Sequence, residues 1–206
     1  DVTSLPAVRT GALRFGCFNN LAKLNETVIS LWAKVLGAVP GALLVLKTQG
    51  LTHPRSRDWV IGRFAAHGIA SGRLDLRGAA PHRELLAAYG EIDLALDPFP
   101  YTGGLTTLEA LWMGVPVVTL AGDTLLARMG VTCVGNAGLG EFVAATPDEY
   151  VEIARRCARD LPRLAQLRAQ MRGRLLQTTL FDGAAFTRDL ECGYRQVWRR
   201  WCEGTK

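Results

Sequence analysis

The residues of this 206-residue chain best placed to do chemistry lie in the run DPFPYTGGLTTLEALWMGV that begins at Asp97. Leu94, Ala95 and Leu96 form a short apolar run closed by Asp97, and Gly103-Gly104 precede a helical pattern through Leu108, Ala110, Leu111 and Met113. Two glycines between a buried strand and a helix remove Cβ bulk where the chain turns and where a ligand approaches the backbone closely. The amides of Leu105, Thr106 and Thr107 then open the helix, and a helix start offers unpaired N–H donors at the positive end of its dipole. An anion, above all a phosphate, fits there. A plain strand-to-helix turn with Thr106 as its N-cap accounts for the same letters.

Two further side chains extend that chemistry. Glu109 sits one turn into the helix, where its carboxylate suits the two hydroxyls of a ribose, the alternative being complementation of the helix dipole. Lys23, in FNNLAK at 18–23, supplies a cation for a diphosphate or is a solvated lysine ahead of a helix. The polar set formed with Asn19, Asn20, His82, Thr102, Thr106 and Thr107 matches a diphosphate in charge and donors.

Positioning these residues requires a parallel sheet. Apolar runs at 13–18, 42–47, 73–77, 92–97 and 116–120 read as strands, separated by helical patterns that begin near Asn25, near 56 and at Pro81. Strands apolar throughout and separated by helices predict a doubly wound α/β domain covered on both faces. Ligands of such sheets bind beyond the carboxyl ends of the strands where strand order reverses. The segments at 18–23, 78–82 and 100–107 converge there. After Gly122 the pattern predicts helices near 124–130, 139–144, 146–160, 162–176 and 184–202, with no internal repeat. The domain reading is residues 1–12 as an extension or interdomain linker, 13–183 as the nucleotide-binding domain and 184–206 as a C-terminal helix.

Composition narrows the class. Hydrophobic residues make up 49% of the chain, enough for a substantial core. No apolar run of roughly 18 residues is present to span a membrane, and no charged-then-apolar leader is present. A first residue of Asp reads as a piece of something longer. The cysteines, Cys17, Cys133, Cys157, Cys192 and Cys202, are scattered without metal-ligand spacing, as reduced thiols of a cytoplasmic protein are. The net charge of +5 comes largely from late arginines such as Arg155, Arg168 and Arg172, which alternate with apolar residues as solvated helix faces do. No nucleic-acid-binding signature accompanies them.

Taken together, FNNLAK, LRG-x-AP, the long stretch at 93–123, ARMG and the Tyr194/Trp198 helix resemble the C-terminal half of the catalytic region of the O-linked N-acetylglucosaminyltransferase and SPINDLY family, enzymes often fused to tetratricopeptide repeats. The similarity runs from about residue 13 to 201, and 93–123 is its specific part. The resemblance implies a glycosyltransferase-B fold of two Rossmann-like halves, of which this is the donor-binding one. It also implies an inverting transfer of N-acetylglucosamine from UDP-N-acetylglucosamine to serine or threonine of a protein acceptor, with other UDP- or GDP-linked sugars as alternatives. By the same resemblance Lys23 acts as electrostatic catalyst and Asn20 meets the diphosphate. Gly104, Leu105 and Thr106 offer helix-start donors, Glu109 takes the ribose, and the Ala80 backbone reads the base.

The chain departs from the family pattern at Leu85, where a histidine packs on the base in relatives, and at His82, which replaces a lysine near the ribose. Leu105 replaces a threonine, and Thr102 stands where asparagine is usual. No D-x-D motif is present, in keeping with the metal-independent, cofactor-free transfer the resemblance implies. The remaining catalytic half and the repeats are the partners expected. A module that has kept the fold and lost catalysis is the alternative.

Overall fold

The computed structural model describes residues 1–204. Six strands, β1 (Arg14–Cys17), β2 (Leu43–Lys47), β3 (Leu74–Arg77), β4 (Leu94–Leu96), β5 (Val117–Leu120) and β6 (Val143–Ala144), form one parallel sheet in the order β3-β2-β1-β4-β5-β6. The helices are α1 (Pro6–Thr10), α2 (Glu26–Ala38), α3 (Pro54–Ala65), α4 (His82–Ala88), α5 (Leu105–Trp112), α6 (Met129–Asn136), α7 (Pro147–Arg159), α8 (Leu161–Leu175) and α9 (Gly183–Cys202). The doubly wound reading holds, and the order reverses between β1 and β4. The segments that leave those two strands therefore flank the crevice of such a sheet.

Local chemistry sets most boundaries. The Asn25 side chain accepts from Val28 N at 3.0 Å and starts α2, whose Val28, Leu31, Trp32, Val35 and Leu36 are buried as the periodicity predicts. Thr146 caps α7 by accepting from Glu149 N, while Glu149 accepts from Ala145 N at 2.7 Å, a reciprocal arrangement close to a capping box. Trp32 Nε1 donates to Tyr150 Oη at 3.2 Å, and Tyr150 Oη donates to the Asp97 carbonyl at 3.1 Å. That relay fixes α2 and α7 against the end of β4.

Several expectations are corrected. The helix expected near 139–144 is a 3-10 turn, Gly140–Phe142, followed by β6, whose two residues are too few to show a period. The helix expected near 124–130 begins at Met129, and Leu125 and Leu126 before it are exposed. The helix expected from 56 starts at Pro54, because proline is preorganised for the first helical position.

Residues 1–12 carry α1 and pack onto the domain, with Leu5, Pro6 and Ala7 buried. Arg168, read as part of a solvated face, is 1% exposed and donates to Thr3 O, Thr3 Oγ1, Tyr89 O and Ile92 O. Arg172 stacks on Trp112, 4.8 Å from the ring centroid. The apolar residues of the last helix do not pack against the domain's own sheet: α9 contains no buried residue, and Val197, Trp198 and Trp201 are exposed. All five cysteines are free, and Cys17 and Cys133 are buried. Among the described residues no helix is long and apolar enough to cross a membrane.

Candidate functional site

The loop after β1 turns into a 3-10 segment, Leu21–Lys23, that starts where Asn20 Oδ1 accepts from Ala22 N at 2.9 Å. This turn brings Lys23 back over the strand ends. Lys23 Nζ donates to Thr102 O at 2.9 Å and to Asn19 Oδ1 at 3.0 Å, and lies 4.1 Å from the centroid of the Tyr101 ring. An ammonium carries three N–H groups, so one is left for a ligand oxygen. Burial lowers the Lys23 pKa, opposed by the carboxylate of Asp97. The lysine borders two hollows, of about 260 Å³ beside Cys17 and Trp32 and about 630 Å³ beside Phe99 and Tyr101.

Across the crevice, Gly104 is the N-cap of α5 and makes no side-chain cap bond, so Thr106 is not the capping residue. Its hydroxyl instead donates to Asn19 Oδ1 at 3.0 Å, the oxygen that also receives Lys23. One amide oxygen thus joins the lysine to the helix start. Tyr89 Oη donates to Thr106 O at 3.1 Å and steadies the turn from below, and burial raises the Tyr89 pKa well above its ordinary value. The Thr107 amide, expected to face a ligand, already donates to Gly104 O at 3.1 Å. The Leu105 and Thr106 amides belong to the first turn, which has no intrahelical acceptor.

Glu109 lies in the second turn of α5, beyond the residues the dipole chiefly favours, and its partner is a side chain. His82 Nε2 lies 2.8 Å from Glu109 Oε1; the glutamate is buried and the histidine side chain is 68% exposed. The pair joins the helix that follows the glycine loop to the first residue of α4, just past the loop after β3. Ala80 is a half-buried residue of that loop, Leu85 is half-buried in α4 against the core, and Leu105 is exposed at the mouth of α5.

Asn19, Lys23 and Thr106 therefore form one bonded group and His82 with Glu109 another. Asn20, to which the family pattern assigned a diphosphate contact, spends its amide oxygen on the turn, while its neighbour Asn19 stands at the centre. The two asparagines are adjacent in sequence, and only the fold of the turn separates them. Sequence reasoning also passed over Tyr101 and Asp97. The one signal for them was position, an aromatic just before the glycines and a carboxylate closing an apolar run. Among the described residues no three His, Cys, Asp or Glu side chains gather as a metal site would need.

A cation and a helix start facing each other over the reversal point of a parallel sheet define a Rossmann-like domain suited to a nucleotide diphosphate. Solved glycosyltransferases carry the same architecture. The chain superposes on a mutant of the Thermobaculum terrenum O-GlcNAc transferase with TM-score 0.89 and 43% identity, covering 94% of this chain and 37% of that one. At 18% identity and TM-score 0.60 it shares the fold of Anabaena Alr3699/HepE, solved in complex with UDP and glucose, covering 89% of this chain and 50% of that one.

The sequence model of Glycosyl transferase family 41 matches residues 4–190, and the chain belongs to that family. It is 40% identical over 204 residues to the probable UDP-N-acetylglucosamine–peptide N-acetylglucosaminyltransferase SPINDLY of Oryza sativa subsp. japonica, covering 98% of this chain and 22% of the relative. The chain thus spans about a fifth of the length of that curated relative.

Proposed function

We propose that this chain is the donor-binding half of an inverting glycosyltransferase that transfers N-acetylglucosamine from UDP-N-acetylglucosamine to serine or threonine hydroxyls of proteins. The observation that carries the reading is the bonded set Lys23–Asn19–Thr106, which holds an ammonium and a helix start on one crevice. When the acceptor oxygen attacks the anomeric carbon, the bond to the β-phosphate oxygen breaks and its electron pair stays on that oxygen. Lys23 and the Leu105 and Thr106 amides, already in place, stabilise the growing charge without reorganising. The reading assigns that stabilisation to these groups and includes no metal or other cofactor.

Glu109, paired with His82, is assigned the ribose hydroxyls, with Ala80 and Leu85 at the base. Deprotonation of the acceptor falls to the rest of the full-length protein or to the substrate, so this piece alone binds donor weakly and does not turn over. The full-length protein is read as cytoplasmic, with the other catalytic half and tetratricopeptide repeats as its partners.

Lys23→Ala in the full-length protein tests the reading. Transferase kcat should fall by roughly 10²–10³-fold, as when a preorganised donor to an oxyanion is lost, with the fold intact. Normal turnover would overturn it. The second reading, a nucleotide-binding or scaffolding module without catalysis, draws on the altered base end, where Leu85 packs toward the core. Calorimetric titration of the chain with UDP and GDP sugars separates the two, since a module that binds neither is a scaffold.

A further inference from the structure

We propose that Asp97 is a positioning residue for the donor grip: its carboxylate, buried behind the glycine loop and close against α6, ties that loop to β5 and thereby sets where Lys23 and the start of α5 face each other. The inference rests on the reading of the crevice as a diphosphate holder.

Asp97 is 1% exposed. Its Oδ1 accepts from Gly103 N at 2.7 Å and its Oδ2 from Thr119 Oγ1 at 2.8 Å. Space around it is closed from two sides. A Cβ at Gly103 would lie 2.8 Å from Oδ1 and would collide with Thr107 Oγ1, and a Cβ at Gly130, in the first turn of α6, would collide with Oδ2. Neither glycine has positive φ, so it is room for the carboxylate that requires them.

The residue before Gly103 is Thr102, whose carbonyl accepts from Lys23. Thr102 is tied in turn to Leu126 O, through its amide at 3.1 Å and its hydroxyl at 2.8 Å, and its hydroxyl accepts from Gly130 N at 3.0 Å. Lys23 and Asp97 therefore hold the two ends of a single peptide group, its Thr102 carbonyl and its Gly103 N–H. Beside the carboxylate, the Thr107 hydroxyl is buried with no partner among the described residues. A fold optimised for packing alone would keep neither a buried charge nor an orphan hydroxyl, and such violations mark sites where geometry serves function.

The titratable groups that face Asp97 are Cys17 of β1, Lys23, Cys133 of α6 and Tyr150 of α7. Burial pushes Cys17 up to about 12 and raises Cys133 and Tyr150, so these stay neutral and Lys23 is the charge opposite the carboxylate. Burial also raises Asp97, to about 6, against the pull of Thr119, Gly103 and Lys23. Protonation as the pH falls through that value replaces a charge-assisted bond to Gly103 with a weaker neutral one and removes the counter-charge of Lys23.

The test is donor kcat/KM of the full-length protein from about pH 5 to pH 8, for the wild type, Asp97→Asn, Thr119→Val and Lys23→Ala, with a melting curve for each. The wild type should lose efficiency as the pH falls through about 6. Asp97→Asn should be lower by roughly 10–100-fold above that pH, the scale of a small misplacement, and should lack the acid limb. Thr119→Val, which removes a bond that favours the ionised carboxyl, should move the limb to higher pH. A purely structural role would change the melting temperature and leave the limb in place. Asp97→Asn and Thr119→Val that both keep the wild-type profile, with Lys23→Ala inactive, would overturn the role of Asp97 alone. An active Lys23→Ala would overturn the reading of the crevice itself. Should Asp97→Asn fail to fold, the shift in Thr119→Val decides.

Discussion

Strand β4 is flanked by two buried aspartates that do opposite work. At its amino end Asp93 accepts from Ala7 N and Arg14 N, both at 2.8 Å, and Arg168 stands nearby as counter-charge. That arginine's hydrogen bonds run to Thr3, Tyr89 and Ile92, all within the fold. At the carboxyl end Asp97 accepts one amide and one hydroxyl and faces a lysine with a donor to spare. Burial raises both carboxyls. The same residue type at the two ends of one strand thus closes the fold at one end and shapes a crevice at the other, and what separates them is where the opposing cation sits: Arg168 is 1% exposed, whereas Lys23 borders two open hollows.

The largest effect that would break this contrast comes from Asp93→Ala. It strands one buried and one half-buried amide and leaves Arg168 uncompensated, and should cost about 3–5 kcal/mol in denaturant unfolding, while donor affinity of the folded fraction is unchanged. A loss of affinity per folded molecule would show that the two ends are not independent.

The next effect is a pH dependence at the other end. Because Asp97 is raised from 3.8 to about 6, the folded chain keeps this proton to higher pH than the unfolded chain does. Stability should therefore decline as the pH rises from about 4 to about 6, by about 3 kcal/mol, and level off above. Asp97→Asn should lack that contribution, so the stability difference between it and the wild type should widen in its favour across the window. Unfolding curves that stay parallel would remove the stability cost assigned to the carboxylate. Acid thus favours the fold and opposes the grip.

The smallest effect sharpens the amino end. Thr3→Val removes the hydroxyl that accepts from Arg168 at 3.0 Å and donates to Gly90 O at 3.1 Å. It should cost about 1 kcal/mol, read by thermal unfolding, with kcat/KM unaltered.

Much of this architecture is legible in the letters, and the illegible parts share a cause. Asn25 and Thr146 announce their helices because capping is local, and α2 shows its buried face because a 3.6-residue period repeats over 13 residues. β6 offers two residues and no period. Arg168 shares its helical spacing with solvated arginines, and only the approach of Thr3, 165 positions away, removes it from water. Asn19 and Asn20 are the same letter twice, and the 3-10 turn decides which one meets Lys23.

By itself the sequence determined the alternation of strands and helices, the glycine junction at 103–104, the helix caps and the family likeness, because each rests on neighbours within a few positions or on a pattern repeated along one element. Tertiary structure alone decided which charges are buried and what opposes them: Asp93 with Ala7 and Arg168, Asp97 with Thr119 and Lys23, Asn19 between Lys23 and Thr106. The price of burying a charge depends on partners that lie up to 165 residues away in the chain, and no local rule carries that information.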